Sequence, residues 1–254
     1  MVLSMERWVG KVAVVTGASS GIGAAIAQML VENGVIVVGL ARRSEEIEKL
    51  AKTLSGKKGK LYAVKADLSK EEDIKNAFKW ASKNVGPVQI LVNNAGIHDK
   101  SSLIDGDTDK WRNTININVV ALCIATREAI KIMRDNKIEG HIIHINSVAG
   151  HKVPSLISVD VYSPSKYAVT ALTETLRLEI NALKLKVKIT SISPGVVDTP
   201  IFDEEFRKNE MVKDLLANRS LKPEDISDAA QYALSTPPSV QVHELTIKPL
   251  HERE

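Results

Sequence analysis

Short apolar runs alternate with amphipathic stretches along the whole chain. Residues 11–16 (KVAVVT), 35–41 (VIVVGLA), 60–66 (KLYAVKA), 88–96 (VQILVNNAG), 141–147 (HIIHINS), 186–192 (KVKITSI) and 240–249 (VQVHELTIKP) are compact and rich in β-branched residues. Such runs predict strands buried on both faces, as in a parallel sheet. Between them, residues 22–32, 44–55, 107–131, 160–182 and 223–235 carry a helical period, and a further helix opens after residue 68 with Ser69 as its expected cap. Strand and helix alternate throughout with no repeat, linker or low-complexity tract, which predicts α/β architecture in a single domain. The expected form is a Rossmann-type, doubly wound, seven-stranded parallel sheet with helices on both faces and right-handed crossovers. A dinucleotide-binding half is expected at about 8–150 and a catalytic and substrate half at about 151–250. Residues 200–220, polar with scattered apolar anchors, suit a helical lid.

Glycines and amides punctuate this pattern where strands end. The first strand runs into GASSGIG and then an apolar helix, and that context lifts a glycine motif above chance. Gly17, Gly21 and Gly23 have separable uses: a tight turn, close approach of backbone to a pyrophosphate, and close packing of helix on strand. The helix N-terminus adds free N–H groups and a positive dipole end. At the end of the second strand stand Ala41, Arg42 and Arg43. A carboxylate there would grip the ribose 2′-hydroxyl of NAD, whereas arginine accommodates a 2′-phosphate, so NADP(H) is expected; two solvated arginines are the plainer alternative. Asp67 ends the third strand and suits either an adenine contact or the cap of a turn. The fourth strand ends in Asn93, Asn94, Ala95 and Gly96, small and amide-rich where open α/β sheets bind ligands. Asn116 and Asn118 interrupt an otherwise apolar helical stretch, and asparagine, a poor mid-helix residue, asks there for a kink or a bound water.

The chemistry concentrates between residues 147 and 166. Tyr162 and Lys166 are four apart at the start of a helical pattern and share one face. A free phenol titrates near ~10, and a lysine charge beside it is expected to lower that value and make a usable proton donor and acceptor. Ser147 meets this pair only if the intervening chain folds back, and its hydroxyl could then hold a substrate oxygen. Taken alone, the Tyr–Lys pair is also readable as a buried aromatic beside a solvated lysine.

Composition removes several classes. The formal charge of +3 comes without a dense basic run, so nucleic acid is not an expected partner. Cys123 is the single cysteine, which rules out an intrachain disulfide and a cysteine-based zinc cluster; no metal site is expected. No apolar run approaches the roughly 20 residues of a membrane span, and residues 1–10 lack a signal-peptide core, which predicts a cytoplasmic protein starting at Met1 or Met5.

TGASSGIG at 16–23, NNAG at 93–96, Asn118, Ser147, YSPSK at 162–166 and PGVVDTP at 194–200 stand in the order and spacing of the short-chain dehydrogenase/reductase family, which the chain resembles over about 8–250. GHIIHINSVAGHKVP and SKYAVTALTETLRLEI are similar to the branch of that family containing dehydrogenase/reductase member 11 and the insect NADP-dependent farnesol dehydrogenases. The resemblance implies a tetrad of Asn118, Ser147, Tyr162 and Lys166. Tyr162 would be the general acid/base, Ser147 would hold the substrate oxygen, Lys166 would bind the nicotinamide ribose and lower the tyrosine pKa, and Asn118 would hold a water leading to solvent. It implies cofactor contacts from Gly17, Ala18, Ser19, Ser20, Gly21, Ile22, Gly23, Arg42, Arg43, Glu48, Asp67, Leu68, Asn94, Ala95, Gly96, Tyr162, Lys166, Pro194, Gly195, Val197 and Thr199. For the substrate, Val153 and Phe202 join Ser147 and Tyr162, with His98, Leu156, Ile157 and Phe206 as further pocket candidates. These are mostly apolar and favour a small hydrophobic alcohol or carbonyl such as an isoprenoid, steroid or retinoid. Alternatives are a catalytically silent NADP-binding regulatory protein and a broad-specificity carbonyl reductase. Apolar surface on helices 107–134 and 160–182 suggests a homodimer or homotetramer.

Overall fold

In the computed structural model, residues 3–154, 160–201, 208, 213 and 220–250 are described. Seven strands form one parallel sheet: β1 (Val12–Thr16), β2 (Ile36–Ala41), β3 (Lys60–Lys65), β4 (Val88–Asn93), β5 (Gly140–Ile145), β6 (Val187–Pro194) and β7 (Glu244–Ile247). Their order is β3-β2-β1-β4-β5-β6-β7. The chain therefore builds outward from β1 to β3, returns to the middle, and lays β4 on the other side of β1. This reversal leaves a crevice at the carboxyl ends of β1 and β4, where such sheets bind ligands.

Every residue of β1, β4, β5 and β6 is buried, as the continuous apolar runs require. Successive side chains feed opposite faces. Ala13 and Val15 of β1 join one core with Ile90, Val92, Ile143 and Ile192, while Val12 and Val14 join the other with Leu91, Ile142 and Ile189. The first core is closed by helices α1 (Gly21–Glu32), α2 (Ser44–Thr53) and a late helix, Pro223–Ser235, through Ile26, Leu30, Ile47 and Ile226. The second is closed by α3 (Glu71–Asn84), a helix at Ala121–Asp135 and one at Tyr162–Ala182, through Phe78, Met133 and Ile180. In chain order, with Thr108–Ile115 as α4, these last helices are α5 (Ala121–Asp135), α6 (Tyr162–Ala182) and α7 (Pro223–Ser235).

Three details depart from the sequence reading. The stretch 107–131 is not one regular helix: α4 and α5 are separated by a π-helical turn at Asn116–Val120, which is the kink the two asparagines ask for. The cap of α3 is Lys70 rather than Ser69, whose hydroxyl instead donates to Asp67. The last strand is confined to Glu244–Ile247, which pair with Ser191–Pro194 of β6. Among the described residues no helix is long and apolar enough to cross a membrane.

Candidate active site

The glycine turn joins β1 to α1. Gly17 and Gly21 have φ of +68° and +55°, values that favour glycine. Gly23 has no room for a side chain, since an added Cβ would lie 2.4 Å from Asn94 Nδ2 and 2.4 Å from the Gly17 carbonyl. At Gly21 an added Cβ would lie 3.1 Å from the Thr199 side chain, so the loop after β6 flanks the turn directly. Ser20 caps α1 without a side-chain hydrogen bond, and the first turn holds no acidic residue. The helix thus presents its positive end beside a bare backbone cradle, which suits a pyrophosphate.

The flanking residues divide by what they do. Asn94 Nδ2 donates to the Thr16 and Gly17 carbonyls at 2.9 and 3.3 Å, while the Thr16 hydroxyl accepts from the backbone N–H of Asn94 and Ala95. Asn94 therefore ties the end of β4 to the glycine turn with its side chain. Thr16, an ordinary strand-end residue in the sequence, is the hub of that tie. Asp67 accepts from the Ser69 N–H and hydroxyl, bonds that hold its carboxyl below the usual range; it caps the turn into α3, with Arg42 near enough to add to the lowering. Arg42 and Arg43 are exposed at the end of β2, Glu48 is exposed on α2, and Leu68 is half-buried against the second core. On the other side of the crevice, Gly195 donates to the Ile247 carbonyl of β7 and Val197 bridges to Leu221, just before α7, so the loop from Pro194 to Thr199 is tied at two points.

The chain does fold back to bring Ser147 to Tyr162. Ser147 is extended, caps a 3₁₀ turn at Val148–Gly150 and accepts from the Ala149 N–H. Gly150 lets the turn sit on α6: an added Cβ would be 2.7 Å from the Lys166 carbonyl, and the Thr170 hydroxyl donates to the Gly150 carbonyl at 3.0 Å. The Ser147 side chain is thereby brought close enough to the Tyr162 phenol to favour its ionised form.

Tyr162 is pushed up to about 12, the reverse of the lowering expected from Lys166. Burial is the main cause, because it disfavours phenolate. The nearby Ser147 side chain opposes it, and the Asp160 carboxylate adds to it. Lys166 is buried, is itself lowered to about 8 by desolvation, and donates to the Ile145 carbonyl at 3.0 Å. Its Nζ stands 5.7 Å from the centre of the tyrosine ring.

Asn118 lies in the π-helical turn and is buried. Its Oδ1 accepts from the Ile97 N–H at 2.9 Å, and its Nδ2 donates to the Ile97 carbonyl and to Ser165 Oγ, both at 3.0 Å. The Ser165 hydroxyl in turn donates to the Tyr162 carbonyl at 2.6 Å. Ser165, also an ordinary polar residue in the sequence, links Asn118 to the first turn of α6. A Cβ on Gly96 would lie 3.5 Å from Asn118 Oδ1 and 3.9 Å from Lys166 Nζ, so the end of the NNAG stretch faces both.

Of the pocket candidates, His98 packs on Tyr162, ring centroids 5.1 Å apart, and Val153 is exposed. Phe202, Leu156, Ile157, Phe206 and most of the expected lid lie outside the described residues. His151 turns toward the sheet edge, its Nε2 3.0 Å from both Ser193 Oγ and Glu244 Oε1.

A glycine-lined crevice at the switch point of a parallel sheet, with serine, tyrosine and lysine gathered beside it, defines a dinucleotide-dependent oxidoreductase site, and the chain belongs to the short-chain dehydrogenase/reductase family. The family model for short chain dehydrogenase matches residues 11–210. Among curated relatives, the farnesol dehydrogenase of Aedes aegypti is 49% identical over 251 residues, covering 98% of this chain and 100% of that one. Dehydrogenase/reductase SDR family member 11 of Bos taurus is 44% identical over 255 residues, covering 98% and 99%. Among solved structures, a short-chain type dehydrogenase/reductase from Mycobacterium marinum superposes with a TM-score of 0.84 at 26% identity, covering 95% of each chain. The alcohol dehydrogenase of the archaeon Thermococcus sibiricus, complexed with 5-hydroxy-NADP, superposes with a TM-score of 0.81 at 26% identity, covering 96% of this chain and 98% of that one.

Proposed function

We propose that the protein is an NADP(H)-dependent dehydrogenase/reductase interconverting a hydrophobic alcohol and its carbonyl, with Tyr162 exchanging the proton at the substrate oxygen. The observation that carries this reading is the meeting of Ser147, Tyr162 and Lys166 beside the glycine turn. NADP(H), when bound, supplies or takes up the hydride. Ala18 to Gly23 and the first turn of α1 would hold its pyrophosphate, Arg42 and Arg43 its 2′-phosphate, Lys166 its nicotinamide ribose, and the loop from Pro194 to Thr199 its amide. The uncapped helix start and the two exposed arginines fit such a polyanion.

The residues of the chain divide the remaining work. A phenol pushed up to about 12 is protonated at neutral pH and stands ready as an acid for carbonyl reduction. Ser147, beside that phenol, is placed to hold the same substrate oxygen. In the oxidative direction Tyr162 must first lose its proton, which the nearby Ser147 side chain favours. Asn118 holds the Ile97 backbone and, through Ser165, the start of α6, which keeps the loop after β4 in register with Tyr162. An isoprenoid alcohol of the farnesol type is the proposed substrate class, supported by the similarity to the mosquito farnesol dehydrogenase. Exposed Val120, Tyr167 and Leu178 on the π-helical turn and α6 support a homo-oligomer.

Cofactor preference is the first test. Titration of the purified protein with NADPH and NADH is expected to show NADPH bound at least tenfold more tightly, a preference that Arg42→Ala largely removes (about 1.4 kcal/mol or more). Equal affinities in the wild type, unchanged in the variant, would overturn the NADP assignment. Incubation with NADPH and lipophilic carbonyls, farnesal included, is then expected to consume the cofactor.

A further inference from the structure

Two side chains packed around Tyr162 have no part in the mechanism above. Asp160 lies two residues before the tyrosine, is 1% exposed, and accepts the Tyr162 backbone N–H through Oδ1 at 2.7 Å. That bond begins α6 and uses one carboxylate oxygen. The other, Oδ2, is buried without a hydrogen bond among the described residues and faces His98 Nε2 at 3.3 Å. His98 comes from the loop after β4, and its side chain is 6% exposed. Its ring stands edge-on to the tyrosine, with centroids 5.1 Å apart and planes at 63°. The carboxylate is bound to the backbone of the tyrosine, the imidazole faces its other oxygen at 3.3 Å, and the tyrosine ring stands edge-on against the imidazole.

Capping alone does not account for this arrangement. A helix start needs one acceptor, which a serine or asparagine supplies without burying a charge. Burying a carboxylate oxygen is unfavourable unless a donor or cation answers it, and His98 stands in that place. We propose that His98 and Asp160 are a positioning pair for Tyr162, fixing its ring and setting the pH range over which its hydroxyl gives up and regains a proton. This role rests on Tyr162 being the acid/base.

The other charged groups nearby are already engaged. Lys166, on the same helix, is directed at the Ile145 carbonyl. Asp99, next to His98, pairs with Lys110 of α4 at 3.6 Å. His144, behind Lys166 on β5, bonds Thr173, and His151, after the 3₁₀ turn, pairs with Glu244. Asp160 is thus the carboxylate that acts on the phenol, disfavouring its ionised form. The His98 imidazole, facing Oδ2 at 3.3 Å, offsets that effect. Removing the Asp160 charge must therefore ease ionisation of Tyr162, and removing the His98 donor must hinder it.

Asp160→Asn keeps the acceptor for the Tyr162 N–H and removes the charge, while His98→Phe keeps an edge-on ring and removes the donor. Oxidation of farnesol with NADP⁺ is to be followed against pH for the wild type, both variants and Tyr162→Phe. The rising limb of kcat/KM is expected to move down by about one pH unit in Asp160→Asn and up by about half a unit in His98→Phe. A role confined to packing would change the plateau and leave the limb in place, and coincident limbs overturn the proposal. Tyr162→Phe separates the two readings: loss of turnover with NADPH binding intact upholds the acid/base role, and retained turnover refutes it.

A second measurement needs no substrate. Tyrosinate absorbance after a rapid jump to alkaline pH, taken for each protein minus its Tyr162→Phe counterpart, isolates the ionisation of this one side chain. It is expected to show the same two shifts, in the same directions. An unmoved titration in both variants overturns the proposal whether or not farnesol is turned over.

Discussion

Gly23 shows how much one absent side chain decides. The space its Cβ would occupy is filled by Asn94 Nδ2 and the Gly17 carbonyl, the two groups that lock the end of β4 to the glycine turn. Gly23→Ala is expected to displace Asn94, destabilise the fold by about 1–3 kcal/mol and weaken NADPH binding at least tenfold. Thermal unfolding together with a fluorescence titration of NADPH checks both, and an unchanged dissociation constant would show that the turn tolerates the shift. At this scale the reactive side chains were legible in the sequence, because Ser147, Tyr162 and Lys166 stand in a recognisable spacing. Their supports were not. Thr16, Ser165 and Asp160 are ordinary polar residues whose use depends on partners 78, 47 and 62 positions away. The acid strength of Tyr162 is not legible for a related reason: spacing shows that a lysine shares its face, but burial and the direction of the ammonium set the sign.

Among the elements, the π-helical turn at Asn116–Val120 is the one tied most directly to the site. It leaves Asn118 with both its amide groups on the Ile97 backbone and on Ser165 instead of within the helix. Asn118→Leu is expected to leave the Ile97 N–H and C=O without partners, at a cost of about 1–3 kcal/mol, and to lower kcat by tenfold or more. A melting temperature that drops while kcat holds would limit Asn118 to a structural part. Two asparagines in an apolar stretch did signal an irregularity. Its geometry was not readable, because a kink, a bulge and a bound water all relieve the same local conflict. The cap of α3 escaped for a comparable reason: Ser69 and Asp67 compete for one turn, and the Asp73 carboxylate, six residues on, accepts the Asp67 N–H. β7 is shorter than its apolar run: only Glu244–Ile247 pair with β6, and an apolar run does not show where an edge strand's pairing ends.

Across the whole molecule, a buried polar chain crosses from β4 to α6 beneath the site. Asn93 donates to Thr126, which meets His144 Nε2, while His144 Nδ1 meets Thr173. Thr173 gives its hydrogen to the Val169 carbonyl, so Nδ1 is the donor there; Thr126, already accepting from Asn93, is left to donate toward Nε2, an arrangement that suits the neutral ring. Burial lowers His144 from 6.5 to about 3, and the equally buried His141 moves the same way. Because the unfolded chain binds these protons first, stability must fall as pH drops below about 6.5, with a slope of about 1.4 kcal/mol per pH unit for each histidine. Lys166, lowered from 10.5 to about 8, acts only above that range. The melting temperature is expected to drop by roughly 5–15 °C between pH 7 and pH 5, and less steeply in His144→Gln. Circular dichroism melts across that range check it, and a flat profile would show that the histidines are not held neutral. By itself the sequence determined the alternation of strands and helices, the glycine turn, the family and the reactive side chains, because these follow from periodicity and short-range spacing. Only the tertiary structure decided which polar groups are buried, which partners they meet across the sheet, and hence which way Tyr162, Lys166 and His144 titrate, since desolvation and long-range contacts have no local signature in the chain.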